Sequence, residues 1–278
     1  MATDALVNLD LHRVQTASHA LRSVLPAMSL QASFLRRPNP GDPGDGDALR
    51  FCSTCAFGRA CLDDGYDKRA LEDLHCLVEH TAPMHAGDEV FRYGQPFNAI
   101  YAVRAGMVKT RRIDEQGREQ ILGFFLPGEV VGLNGLYSAR YPCDAVALDT
   151  VTLCRFAFPA LSVMATRLPG IQQTLLQLMS KDIVNAALLA GDYSADERLA
   201  AFLINLSERF AERGYSATRL YLMMSRSDIA NYLRLAPETV SRVLRRFQDE
   251  ALIAVEKREV TLIALDRLQH LARCVLQN

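Results

Sequence analysis

Apolar positions along this chain change period several times, and each change marks a different kind of structure. Residues 5 to 35 mix Leu, Val and Met with polar positions loosely enough for one weakly amphipathic helix, and the run from Arg36 to Asp47, rich in Pro, Gly and Asp, then reads as a linker. Residues 51 to 65 show neither a helical nor a strand period, so a loop held by what it binds is expected, and Leu71 to Glu79 looks like a short helix. From about Met84 to Phe158 the pattern becomes short apolar runs punctuated by glycine. Turn signals at Gly94, Gly106, Gly117 and Gly128 recur every eleven or twelve residues, the spacing of an antiparallel barrel or roll.

After Pro159 the helical period returns. Between Pro169 and Asp192, Leu176, Met179, Ile183, Ala186 and Ala190 follow one another at spacings of three and four, while Ile171, Leu175 and Leu178 line a second face. One face can pack on the β domain and the other on a partner chain, although periodicity alone fits a helix buried in its own subunit equally well. Glu197 to Glu212 is a further amphipathic helix, with Leu199, Phe202, Leu203, Leu206 and Phe210 on its apolar side. Two short helical patterns from Ser225 onward, then strand-like Leu252 to Val255 and Val260 to Ile263 around Lys257-Arg258, describe a winged helix.

In a helix-turn-helix the first helix braces the second, which requires a small residue at the crossing and an inward apolar set. Ala230 supplies the first; Ile229, Leu233, Leu235, Val240, Val243 and Leu244 supply the second. Pro237 suits a first helical turn, where no amide partner is lost. Glu238, Thr239, Ser241, Arg242, Arg245 and Arg246 then face outward, and these are residue types that meet base edges and phosphates. Arg234 occupies the tight turn, where a left-handed residue is favoured and a non-glycine costs about 1 kcal/mol.

Composition narrows the setting. The 278 residues suffice for two domains, and no apolar run reaches the roughly 18 residues of a membrane span. Nothing at the start resembles a signal peptide, so a cytoplasmic protein with reduced thiols and no membrane partner is expected. The net charge of −1 decides nothing, because a nucleic-acid binder can keep its basic residues local. Seven cysteines, with Cys52, Cys55 and Cys61 bunched together, argue for metal binding over disulfides. No constellation for catalysis stands out, so an enzyme is not expected, and His75, His80 and His85 form only a loose series read as surface or helix-end residues.

Residues 70 to 278 resemble the CRP/FNR superfamily of transcription regulators. Asp196-Glu197-Arg198-Leu199-Ala200-Ala201-Phe202, running to Phe210, and the segment Pro237 to Phe247 are similar to the FNR group in particular. The resemblance implies an α+β fold: an N-terminal antiparallel β-roll (a jelly roll like that of cyclic-nucleotide-binding domains), a long dimerisation helix and a C-terminal winged helix-turn-helix. The expected division is an extension over 1–48, cysteine loop and roll over 49–165, dimerisation helix over 166–192 and DNA-binding domain over 193–278. It implies that Glu238, Ser241 and Arg242 read palindromic operator DNA with TTGAT-like half-sites, that the chain acts as a homodimer touching RNA polymerase, and that the loop Asp114 to Gln120 is a candidate for that contact. Cys52, Cys55 and Cys61 match the group's N-terminal [4Fe-4S] cluster motif, and the fourth ligand aligns with Cys154, with Cys143 the competitor. Cys76, Cys143 and Cys274 otherwise read as small core hydrophobes. The implied activity is oxygen-responsive control of anaerobic genes; the alternative is a constitutive dimeric DNA-binding protein with structural zinc on the same thiols.

Three departures from the family pattern carry expectations. Leu133 stands at the ribose-binding Glu position and Pro142-Cys143 where an Arg-Ser pair would bind the phosphate, so no cyclic nucleotide is expected. Ala186 replaces an acidic seam residue while Asp182 is retained, and the segment leading to Asp196 is about three residues short, which implies a more persistent dimer. Small neighbours, Ala56 and Ala60, imply faster cluster loss in air.

Overall fold

The computed structural model describes residues 55–57, 78–188 and 191–276, all within one unit spanning Asn39–Asn278. The expected helix over 5–35, the linker, Cys52, Cys61, Cys76 and Ala190 lie outside the described residues, as does the side chain of Ala186.

Short alternating runs form the strands β1 (Val78–His80), β2 (Glu89–Phe91), β3 (Ala99–Ala105), β4 (Val108–Ile113), β5 (Glu119–Phe125), β6 (Val130–Val131), β7 (Asp144–Ala147) and β8 (Thr152–Ala157). They pair antiparallel into two sheets, β1-β8-β3-β6 and β2-β7-β4-β5. Phe91, Val103, Val108, Tyr141, Cys143, Ala145 and Leu153, drawn from both sheets, join in one buried cluster. The alternate residues of β3 and β8, Ile100, Ala102, Cys154 and Phe156, belong to a second cluster with Phe57 and the helices that follow. Gly94, Gly106, Gly117 and Gly128 all adopt positive φ, as their turn spacing demands. At Gly106 a Cβ would lie 2.4 Å from the Thr150 carbonyl oxygen, so this turn has no room for a side chain.

One expectation fails here. Val78 and Glu79, placed in a helix over 71–79, lie in β1 instead, because Val78 pairs with Phe156 and Glu79 with Arg155 across β8. Tertiary pairing overrides the local pattern.

Helix α1 (Phe158–Arg167) packs Leu161 and Met164 on the second cluster. The extended Leu168 breaks the chain, and Pro169 opens α2 (Pro169–Leu188). On α2, Ile171 is fully buried and Leu175 and Leu178 pack beside it, whereas Leu176, Met179 and Ile183 are 60%, 40% and 71% exposed. The stripe is therefore not buried within its own subunit. The expected extension to residue 192 is not seen: Gly191 forms a bend, and Ser194 already caps the next helix.

That helix, α3 (Ala195–Ala211), begins with a reciprocal capping box between Ser194 and Glu197 and buries Leu199, Phe202, Leu203 and Leu206. After β9 (Arg219–Tyr221) come α4 (Arg226–Leu233), capped by the Ser225–Asp228 pair, and α5 (Pro237–Asp249) with Pro237 in its first turn. The wing is β10 (Ile253–Glu256) and β11 (Glu259–Leu262), each displaced by one residue from the sequence reading, with β9 added on the far side of β11. The reading missed α6 (Leu265–Leu276), which packs Leu268, Ala272 and Val275 into the reader core; Cys274 lies off that face and is exposed, not a core residue.

Candidate functional site

The turn between α4 and α5 sets the reading helix. Arg234 takes φ 57° and ψ 43°, the left-handed conformation expected of this position, and the Leu235 amide donates to the Ala230 carbonyl at 2.9 Å. Ala230 is 1% exposed at the crossing, and Val240, Val243, Leu244 and Phe247 anchor α5 from below. The opposite face carries Glu238, Ser241, Arg242 and Arg245 exposed and Thr239 half-buried, with Arg242 Nη2 donating to Thr239 Oγ1 at 3.2 Å. Arg226, Ser241, Arg245 and Gln248 line an open cleft beside this face. Arg246, expected to face outward, is exposed but pairs with Asp196 of α3. The sequence-predicted DNA residues thus share one helical face whose donors and acceptors are free to turn toward a groove.

Cysteines divide between the two clusters of the roll. Cys154 is 4% exposed and points out of β8 into the cluster that holds Phe57, with Cys55 and Ala56 packed against it. Two contacts dock the turn 55–57 there: the Ala56 amide donates to the Gly128 carbonyl at 2.9 Å, and the Phe57 and Phe156 rings lie 5.2 Å apart. Cys143 is fully buried in the other cluster, where its Sγ accepts from Asn134 Nδ2 at 3.3 Å. Burial pushes the Cys143 thiol up, away from the thiolate form that binds metal. Among the described residues no set of three or more metal-ligating side chains converges, two of the four candidate ligands lying outside them.

Sequence reasoning missed the polar contacts that join roll to reader. Glu129, in the turn before β6, accepts from Arg209 Nη2 at 2.5 Å and from Arg213 Nη2 at 2.9 Å, and Arg209 and Arg213 also donate to the Phe124 and Pro127 carbonyls. Burial alone would raise the Glu129 carboxyl, but the two guanidinium groups and the Leu126 amide hold it below the usual carboxylate range. Lys109 Nζ of β4 donates to Asp228 at 2.6 Å, and Asn231 of α4 bonds both the Ile121 amide and the Glu119 carbonyl of β5. Arg198 of α3 donates to the Gly191 and Leu233 carbonyls, stitching the end of the α2 segment to the reader turn. Asn231 and Arg209 were visible as polar residues on amphipathic helices and Arg213 as a polar residue just past one, but nothing in their spacing names partners some 80 to 112 residues away.

Comparisons with known proteins agree with this layout. Residues 197–271 match the Crp-like helix-turn-helix domain and residues 83–168 the cyclic nucleotide-binding domain. The chain is 42% identical over 215 residues to the transcriptional activator protein anr of Pseudomonas aeruginosa, covering 76% of this chain and 88% of that one. It is 38% identical over 230 residues to the fumarate and nitrate reduction regulatory protein of Escherichia coli K12, covering 82% and 92%. Among solved structures, FixK2 from Bradyrhizobium japonicum superposes with a TM-score of 0.63 at 27% identity, covering 70% of this chain and 96% of that one.

Proposed function

Because this chain belongs to the CRP/FNR family of transcription regulators, and within it to the FNR group, we propose that it is an oxygen-responsive regulator of anaerobic genes that binds palindromic TTGAT-like sites as a homodimer and senses through a [4Fe-4S] cluster. The observation that carries the sensing half is the docking of the 55–57 turn on the outward face of β8, which leaves Cys55 and Cys154 bordering one cluster while Cys143 belongs to another. Cys52, Cys55, Cys61 and Cys154 would hold the group, and four thiolates are its ordinary ligand set. When bound, it supplies a redox-labile tie between the cysteine loop and the roll. The chain's own part is to seat the loop through the Ala56 amide and the Phe57 ring and to relay its position to the dimer helix. Going from nearly off to nearly on requires the bound group to favour one setting over the other by about 5 kcal/mol. Thiolate chemistry of this kind fits the reducing cytoplasm.

Leu133 stands where a cyclic nucleotide would need a carboxylate and Pro142-Cys143 where it would need an Arg-Ser pair, and Leu133 and Cys143 are buried in apolar clusters, which supports a sensor that takes no nucleotide. The exposed loop around Asp114, closed by an Arg118–Asp114 pair at 2.7 Å, is the proposed contact for RNA polymerase. Iron and sulfide analysis of protein purified without oxygen tests the reading: a brown protein with about four of each per chain supports it. A colourless protein holding one zinc replaces it with a constitutive regulator on a structural metal.

On the DNA side, Arg242→Ala is expected to weaken operator binding by about 1–3 kcal/mol and to relax selectivity at one base position, read by titrating the operator and its single-base variants at fixed salt. Uniform weakening across all sequences would assign Arg242 to the phosphates instead.

The dimer seam is proposed along Leu176, Met179, Ile183, Ala186 and Ala190, the first three of which leave an apolar stripe uncovered within the subunit. Beside it, Asp182 reaches solvent, yet the protein packed around it and then the Glu129 carboxylate raise its pKa. With Ala186 adding no charge, the cluster-free protein is expected to stay largely dimeric at micromolar concentration. Sedimentation velocity showing only monomer would refute this.

A further inference from the structure

Strand β1 places a side chain that the sequence reading left among surface histidines. Its register on β8 sets Val78 opposite Phe156, Glu79 opposite Arg155 and His80 opposite Cys154. Contacts on either side pin that register. Arg155 Nη1 donates to Glu79 at 2.8 Å, the Thr81 amide donates to the Leu153 carbonyl at 3.0 Å, and the Leu153 amide donates to Thr81 Oγ1 at 3.1 Å. His80 Nδ1 consequently lies 3.5 Å from Cys154 Sγ, within reach of a hydrogen bond to sulfur. Cys154 is almost wholly buried, whereas His80 is exposed, so the imidazole covers the sulfur from the solvent side. A thiolate engaged with a metal has no proton to give, so between these two atoms the imidazole is the donor.

We infer that His80 is a positioning residue which donates from Nδ1 to the Cys154 thiolate and slows oxidation of the cluster held there; the inference rests on the cluster reading above. A donor directed at a ligand sulfur draws charge from it, and such bonds are among the factors that set an iron–sulfur potential. The electron-rich form is stabilised, and an electron is harder for dioxygen, the acceptor, to remove from the cluster, the donor. The same bond holds the Cys154 side chain in one orientation, as outer-shell partners of metal ligands do. It also bears on the small neighbours Ala56 and Ala60: where bulk does not shield the cluster, a donor at the fourth ligand offsets part of that exposure.

The test compares wild type, His80→Phe and His80→Gln, all purified without oxygen, by the decay of visible absorbance in air-saturated buffer and by iron and sulfide content before exposure. His80→Phe should be isolated with full iron and sulfide but lose its colour about tenfold faster, the low end of what outer-shell partners contribute. His80→Gln, which retains an N–H donor, should decay close to the wild-type rate. Decay of His80→Phe at the wild-type rate overturns the inference alone. Iron missing from both variants before exposure overturns it too, since His80 would then be a ligand. A colourless, zinc-holding wild type instead overturns the cluster reading, and the inference with it.

Discussion

Cys154→Ala, purified without oxygen, is expected to be colourless and nearly free of iron and sulfide, while Cys143→Ala stays brown with the wild-type content. The two thiols sit at nearby positions on neighbouring stretches of the roll, and spacing alone leaves both open as fourth ligand. Their faces differ. Cys154 alternates outward with Phe156 into the cluster where Cys55 and Phe57 dock, and Cys143 shares the cluster of Val103, Val108 and Leu153. To ligate a metal beside Cys55, Cys143 would have to leave a fully buried site, give up its contact with Asn134 and deprotonate where burial favours the thiol. A brown Cys154→Ala protein beside a colourless Cys143→Ala protein would reverse the assignment.

Glu129→Ala is expected to destabilise the chain by about 3–5 kcal/mol, because it takes the buried counter-charge from two largely buried guanidinium groups and leaves Arg213 the exposed Glu212 at 3.6 Å. The side chains of Glu129, Arg209 and Arg213 are only 12%, 15% and 10% exposed, so solvent cannot take over the carboxylate's role. Urea unfolding followed by circular dichroism reads the loss as a lower midpoint; a shift worth under about 1 kcal/mol would show that the triad contributes no more than a surface pair. The sign with pH follows from the lowered carboxyl. Glu129 has a folded-state pKa below its unfolded value of about 4.3, so its contribution is complete above that value and is lost only as pH falls through the folded pKa. Wild type and Glu129→Ala should therefore differ most at neutral pH and converge in acid.

Much of the fold was legible because its signals are local. Four glycines at turn spacing took the positive φ their positions require, Pro237 opened the reading helix, and Arg234 adopted the left-handed turn despite its side chain. The outward set on α5 could be read for the same reason, since 3.6-residue periodicity separates Glu238 and Arg242 from Val240 and Leu244 without knowledge of anything else. What resisted were pairings made across the chain. Val78 and Glu79 looked helical because nothing nearby announces β8, and His80, read as a surface residue and exposed, gives no sign of Cys154 until its register on β8 is known. Asn231, Arg209 and Arg213 take meaning only from a strand and a turn some 80 to 112 residues earlier. The cysteine question was intermediate, since alternation puts Leu153 and Cys154 on opposite faces but does not say which face the loop meets.

The turn from Leu126 to Glu129 has a consequence for how such regulators diversify. Gly128 offers its carbonyl to Ala56 of the cysteine loop, and the next residue holds Arg209 of α3 and Arg213 in the turn after it. Roll and reader are thus not interchangeable modules. A roll transplanted from another regulator would have to bring its own carboxylate at the position of Glu129, or the chimera would bury Arg209 and Arg213 without the charge that joins them.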